Sequence, residues 1–227
     1  MDPTGRLEGG GAVLTSIQLL TLARWLSPAF PTGAFAWSHG LEQAVRDGTV
    51  RDAATLEDWL DTMLRHGAGR TDTILIGAAH RSDEPEELGG LAELATALAP
   101  SRERRAEASG QGLAFAATLR ALHGWDLPDA PFPVVLGRAA RLAGLPPGPV
   151  AEVALQGFVT TLVQAAQRLM PLGQTAAQGV ILRLSATCAE VGAEAVGLDL
   201  DDIGSCAVVV DLCSMRHEGL EPRIFRS

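Results

Sequence analysis

The sequence predicts an all-α fold, a single-domain bundle of about nine or ten helices, from three observations. Apolar residues recur at three- and four-residue spacing in one segment after another. No segment alternates apolar and polar positions well enough to be a strand. Although 47% of the 227 residues are apolar, only 4% are aromatic and tyrosine is absent. The core must therefore be built from Ala, Leu and Val, which suits closely packed helices better than a sheet. No internal repeat divides the chain, and one helical domain of this length can bury a substantial core.

Residues 1–12, with Gly9 to Gly11 and few large apolar groups, read as a flexible tail. The helical domain spans 13–218, and 219–227 form a C-terminal tail. The first helix follows Ser16 as N-cap and carries Ile17, Leu20, Leu22, Trp25 and Leu26. A second runs through Trp37, Leu41, Ala44 and Val45 to Gly48. Thr55 to Asp58 resembles a capping box ahead of Leu56, Leu60, Met63 and Leu64, and Thr71 to Arg81 supplies a fourth helix. Acidic Ser82 to Gly90, with Pro85, reads as a surface turn before a small helix from Leu91 to Leu98.

Ser101 opens a longer helix to Leu122, in which Gly110 and Gly112 either break the pattern or admit another backbone. Gly124 to Pro133 is a loop whose Trp125, Leu127 and Phe132 can fold back onto the core. Val134 to Ala143 is short. The next helix, with Val153, Leu155, Phe158, Val159, Leu162 and Val163, is apolar on more than one side and so central. Pro171 and Gly173 end it, Gln174 to Val196 follows, and the last helix begins near Asp199 to Asp202 and contains Cys206, Val210 and Cys213.

The formal charge of −9 argues against a nucleic acid partner, because phosphate binding needs a basic face. All 18 basic residues are arginine, and Arg102, Arg104 and Arg105 are interleaved with Glu103 and Glu107 as on a solvated helix face. No run of about 18 apolar residues suggests a membrane span, and no signal-peptide pattern opens the chain. A cytoplasmic protein is expected. Cys188, Cys206 and Cys213 match no metal-knuckle spacing.

Two stretches resist a purely structural description. Ser27 to Glu42 holds Pro28, Pro31 and Gly33 among Phe30, Phe35 and Trp37, followed by Ser38 and His39: a stiff aromatic corner between helices. It is either a packed interhelical plug or a binding surface. The other is the terminal helix, where Asp211, Ser214, Met215, Arg216, His217 and Glu218 interrupt an apolar surround, with Asp211, Ser214 and Glu218 on one stripe. A buried Asp there must be paired. One reading is a polar network tying this helix to the corner. Another is a metal site using His39, Glu42, Cys213 and His217, since thiolate and imidazole suit nickel or zinc, although a specific site needs three or four convergent ligands. No phosphate-cradling loop, HExxH pair or nucleophile elbow is present, so no cofactor and no catalytic residue is expected.

The corner Ser27 to Glu42, the run Pro171 to Thr175 that includes Gln174, and Asp211 to Glu218 with the closing Arg223-Ile224-Phe225-Arg226-Ser227 resemble, in order, signatures of the urease accessory protein UreF family. The resemblance implies a helical homodimer that is not an enzyme. It would bind the accessory protein UreD, also called UreH, present a surface for the GTPase UreG and support nickel transfer to apo-urease. It further implies that the corner and the terminal helix shape the recruiting surface and that the tail, with Arg223, Phe225 and Arg226, orders on the UreD-type partner. GTPase activation by one of Arg216, Arg223 or Arg226 is the neighbouring possibility. Trp37 stands where the family often has Tyr, and Gly219 to Pro222 replaces a more polar connection.

Overall fold

Most of the described helices begin where a side chain or a proline disposes of backbone N–H groups that would otherwise lack acceptors. In the computed structural model, residues 14–204 and 207–227 are described. Among them are ten α-helices and two short 3-10 turns, with no strand. The expected tail at 1–12 and Cys206 lie outside the described residues. In chain order the helices are α1 (Ser16–Trp25), α2 (Leu41–Arg46), α3 (Ala53–His66), α4 (Ala68–Arg81), α5 (Pro85–Ala97), α6 (Arg102–His123), α7 (Phe132–Leu142), α8 (Pro147–Leu169), α9 (Gln174–Ala195) and α10 (Val208–His217).

Several boundaries differ from the sequence expectation for identifiable reasons. Thr15, not Ser16, caps α1, because Gln18 three residues on completes a reciprocal pair with it. Thr55 does not open α3 but answers Asp52: Thr55 N donates to Asp52 Oδ1 at 2.9 Å, and Asp52 N donates to Thr55 Oγ1 at 3.1 Å. The supposed turn at Ser82 to Gly90 is mostly helix. Pro85 occupies the first helical position, where a missing N–H costs nothing, and Glu86 and Glu87 favour the positive end of the dipole. The helix expected from Trp37 starts only at Leu41, since His39 (φ 54°) and Gly40 (φ 76°) are left-handed. The last helix likewise splits into a 3-10 turn at Leu200–Asp202 and α10.

Two apolar clusters make the core. One joins α2, α3, α8, α9 and α10 through Leu41, Leu60, Leu64, Val159, Leu162, Val180, Leu184 and Cys213. The other joins α1, α4, α5, α6 and α7 through Trp25, Leu75, Leu91, Phe115, Leu119, Val134 and Leu136. Helix α4 lies between them, giving Ile74 to the first and Leu75, Ile76 and Ala79 to the second. Each fully buried Leu or Phe contributes about 1.5–3 kcal/mol, so α4 is held from both sides. Gly112 does not break α6: a Cβ there would meet Ala130 O at 2.0 Å, so its absence lets the 124–131 loop lie on the helix. The loop folds back as its aromatics suggest, with Trp125 edge-on to Trp25 at 6.1 Å and Leu127 buried.

Candidate functional site

The left-handed bend at His39 and Gly40 brings the corner against the last helix. A Cβ on Gly40 would stand 2.6 Å from Ser214 N, so only glycine lets the two backbones meet. Ser214 is buried and its Oγ lies 2.7 Å from Ser101 Oγ at the start of α6. One turn on, Glu218 accepts from Arg102 N at 2.7 Å and Arg102 Nε at 2.8 Å. Helix α10 is thereby fastened to α2 on one side and α6 on the other. Of the stripe Asp211, Ser214 and Glu218, the last two face α6, while Asp211 is only partly buried.

Residues 219–227 are packed on the chain itself. Glu42, buried on α2, accepts from Ile224 N at 2.7 Å and Phe225 N at 2.8 Å. Arg226 N donates to Ala36 O at 2.8 Å, and Ser38 N donates to Ser227 O at 2.9 Å. Phe225 is buried beneath the Arg168 guanidinium, 4.2 Å from its ring centroid. His217, fully buried, stands between two carboxylates: Nε2 is 3.2 Å from Glu42 Oε2 and Nδ1 is 2.7 Å from Glu103 Oε2. A ring with one proton can donate to only one of them at a time. Glu103 also pairs with Arg223.

The second buried histidine is arranged differently. His39 Nε2 lies 2.7 Å from Glu107 Oε1 and 2.9 Å from Arg104 Nη1, while Nδ1 has no partner. Arg104 Nη1 donates to Glu107 Oε2 at 2.5 Å. Burial and the Arg104 charge hold the His39 imidazole below its ordinary value. Burial works to raise Glu107, but Arg104 and His39 outweigh it and hold its carboxyl below the usual range. Nearby Asp72 lacks such contacts, and burial pushes it up to about 6 against the weaker opposing pull of Arg104.

The structure divides the expected site residues into two sets. Ser38, His39, Glu42, Ser214, His217 and Phe225 are buried in the junction just described. Pro28, Pro31, Gly33, Phe35, Met215, Arg216, Arg223 and Arg226 are exposed around it, with Trp37 and Glu218 at the edge. Arg216 pairs with Asp47 at 2.9 Å, and the Arg226 guanidinium lies 5.8 Å from the Trp37 ring centroid. Gln174 is not brought in: it is exposed at the start of α9 and shares no hydrogen bond with the corner or α10 among the described residues.

Of the proposed ligand set only Glu42 and His217 meet. His39 is engaged by Glu107, Glu42 by His217 and the tail, and burial, then Asp47, raises the Cys213 thiol. Among the described residues no cluster of three or more His, Cys, Asp or Glu side chains is arranged to hold a metal ion.

Sequence reasoning missed Ser101, Arg104 and Glu107, and it placed the last two on a solvated face. They are buried, whereas Arg105 beside them is exposed. The available signal was the i, i+3 spacing of Arg104 and Glu107, which marks a pair without saying what covers it. No helix of the described residues is long and apolar enough to cross a membrane.

Comparison with known proteins completes the description of the site. Residues 50–185 match the family model described as UreF. The chain is 52% identical over 212 residues to the "Urease accessory protein UreF" of Cereibacter sphaeroides (strain KD131 / KCTC 12085), covering 93% of this chain and 100% of that one. The protein of the same name from Jannaschia sp. (strain CCS1) is 46% identical, with 92% and 94% covered. That from Bradyrhizobium diazoefficiens is 42% identical, with 96% of each chain covered.

Proposed function

The chain belongs to the UreF family of urease accessory proteins, and from that premise we propose that it is a non-enzymatic, cytoplasmic scaffold of urease maturation. In this reading it forms a homodimer, binds a UreD/UreH-type protein through the face made by the corner, α10 and the tail, and presents a surface to the GTPase UreG. The assembly then supports nickel insertion into apo-urease. The observation that carries it is the meeting of Gly40 with Ser214, which makes one surface of two segments far apart in sequence. Exposed Phe35, Met215, Arg216, Arg223 and Arg226 rim that surface, and a mixture of aromatic, Met and Arg side chains is what protein interfaces concentrate.

The test is a pull-down of the UreD-type protein and UreG by the full chain and by a chain ending at Glu218. Capture by the full chain, lost or sharply weakened on truncation, is the expected result. Equal capture by both would remove the tail from the interface, and no capture by either would reject the reading.

GTPase activation is a second reading because of one detail. Arg216 and Arg223 are committed to Asp47 and Glu103, whereas Arg226 carries no ion pair among the described residues. An activator would need such a guanidinium, not already paired with a carboxylate. Acceleration of UreG turnover by the full chain, abolished by Arg226→Ala, would establish it. Binding without acceleration would reject it.

A further inference from the structure

We propose that the cavity beneath the aromatic corner binds a small amphipathic amine, a molecule with an apolar body and one cationic, hydrogen-bond-donating head. This goes beyond the scaffolding role and does not depend on it. The cavity measures about 510 Å³, within the size of small-molecule sites, and lies between the corner, α4, α6 and α8. Its walls are apolar and aromatic, with Trp25, Phe30 and Phe158 among them, and such faces accept both hydrocarbon and a neighbouring cation.

The polar end supplies the specificity. Four titratable residues line the cavity: Asp72, His39, Arg104 and Glu107. Arg104 is engaged with Glu107, and burial and the Arg104 charge hold the His39 imidazole below its ordinary value. The Asp72 carboxylate is therefore left over, and no hydrogen bond reaches it from any described residue. His39, only 7% exposed, also leaves Nδ1 without a partner. In the tautomer that gives Nε2–H to Glu107, Nδ1 carries a lone pair; in the one that accepts from Arg104 at Nε2, Nδ1 carries the proton. A partly buried carboxylate without a protein partner, together with an unpartnered ring nitrogen, on the wall of an apolar chamber calls for a donor-rich cation and repels an anion. A bare divalent ion is a poorer fit, since these two groups do not make a ligand set and Arg104 stands beside them.

Titration calorimetry of the full chain with 2-phenylethylamine, 2-phenylethanol and phenylacetate tests the proposal. The amine should bind with one-to-one stoichiometry, roughly tenfold or more tighter than the alcohol, as a charge-assisted hydrogen bond implies, and phenylacetate should not bind. Asp72→Asn should abolish the difference between amine and alcohol, and Ala154→Trp, which fills the chamber, should abolish both. Nuclear Overhauser contacts from the amine's methylenes to the Phe30 and Phe158 rings of the unmutated protein locate the ligand without relying on any variant. Equal affinity for amine and alcohol, retention of the preference in Asp72→Asn, or absence of those contacts would each overturn the assignment.

Discussion

His217 and His39 are both buried at the junction of the corner with the rest of the chain, yet their surroundings differ in kind. His217 has a carboxylate on each ring nitrogen, and both carboxylates hold the tail as well, through the amides of residues 224 and 225 and through Arg223. His39 has a carboxylate and a guanidinium crowded on one nitrogen and nothing on the other, and it borders a chamber. The first arrangement is closed, every polar atom being answered from within the fold. The second is left open toward empty space. Buried histidine in itself therefore signals neither structure nor binding, and what decides is whether the second nitrogen has a partner.

The contrast can be broken from the closed side first. Glu42→Ala removes the acceptor for two tail amides and half of the pairing of His217, so a loss of about 3–5 kcal/mol is expected in denaturant unfolding. Proteolysis should also cut residues 219–227 preferentially, and an unchanged cleavage pattern would show that Glu42 does not hold the tail. Gly40→Ala combines a left-handed backbone with a Cβ 2.6 Å from Ser214 N and should cost about 2–4 kcal/mol. A near-neutral result would mean that the corner and α10 are not in contact.

The open side should respond with the opposite sign. Asp72, with its carboxyl raised to about 6, stabilises the fold only while it is protonated. That contribution falls away as pH rises from the unfolded value through about 6. Asp72→Asn should therefore raise stability by about 2 kcal/mol at pH 7.5 and leave it unchanged below about pH 4, read from denaturant midpoints across pH. A variant that is weaker at both would place Asp72 in a stabilising pair instead. Ser101→Ala removes the cap of α6 and the hydroxyl facing Ser214, and about 1–2 kcal/mol should be lost with the tail still protected from protease.

The helices themselves were readable because apolar spacing and cap residues are local properties of the chain. The corner and the terminal helix also stood out, through prolines flanked by aromatics in one case and polar groups in an apolar helix in the other. The inside of the site was not readable. Arg104 and Glu107 look like ordinary surface charges on α6, and the groups that meet them there, His39 and Ser227, are distant in sequence. The start of α5 was missed for the converse reason: Pro85 and its acidic neighbours read as a surface turn, whereas the proline opens the helix. Gln174 carried a motif signal but stands exposed at the start of α9, since spacing records what a helix offers and not what meets it.

The way Glu42 grips the tail limits what evolution can alter there. Its two oxygens take main-chain amides, so the seat senses the presence and direction of a strand-like segment and is blind to the side chain of Ile224, which points outward at 56% exposure. That position can drift freely in character while the segment stays docked, proline alone being forbidden. Whatever reads the outside of the tail can thus be re-specified without disturbing its anchorage.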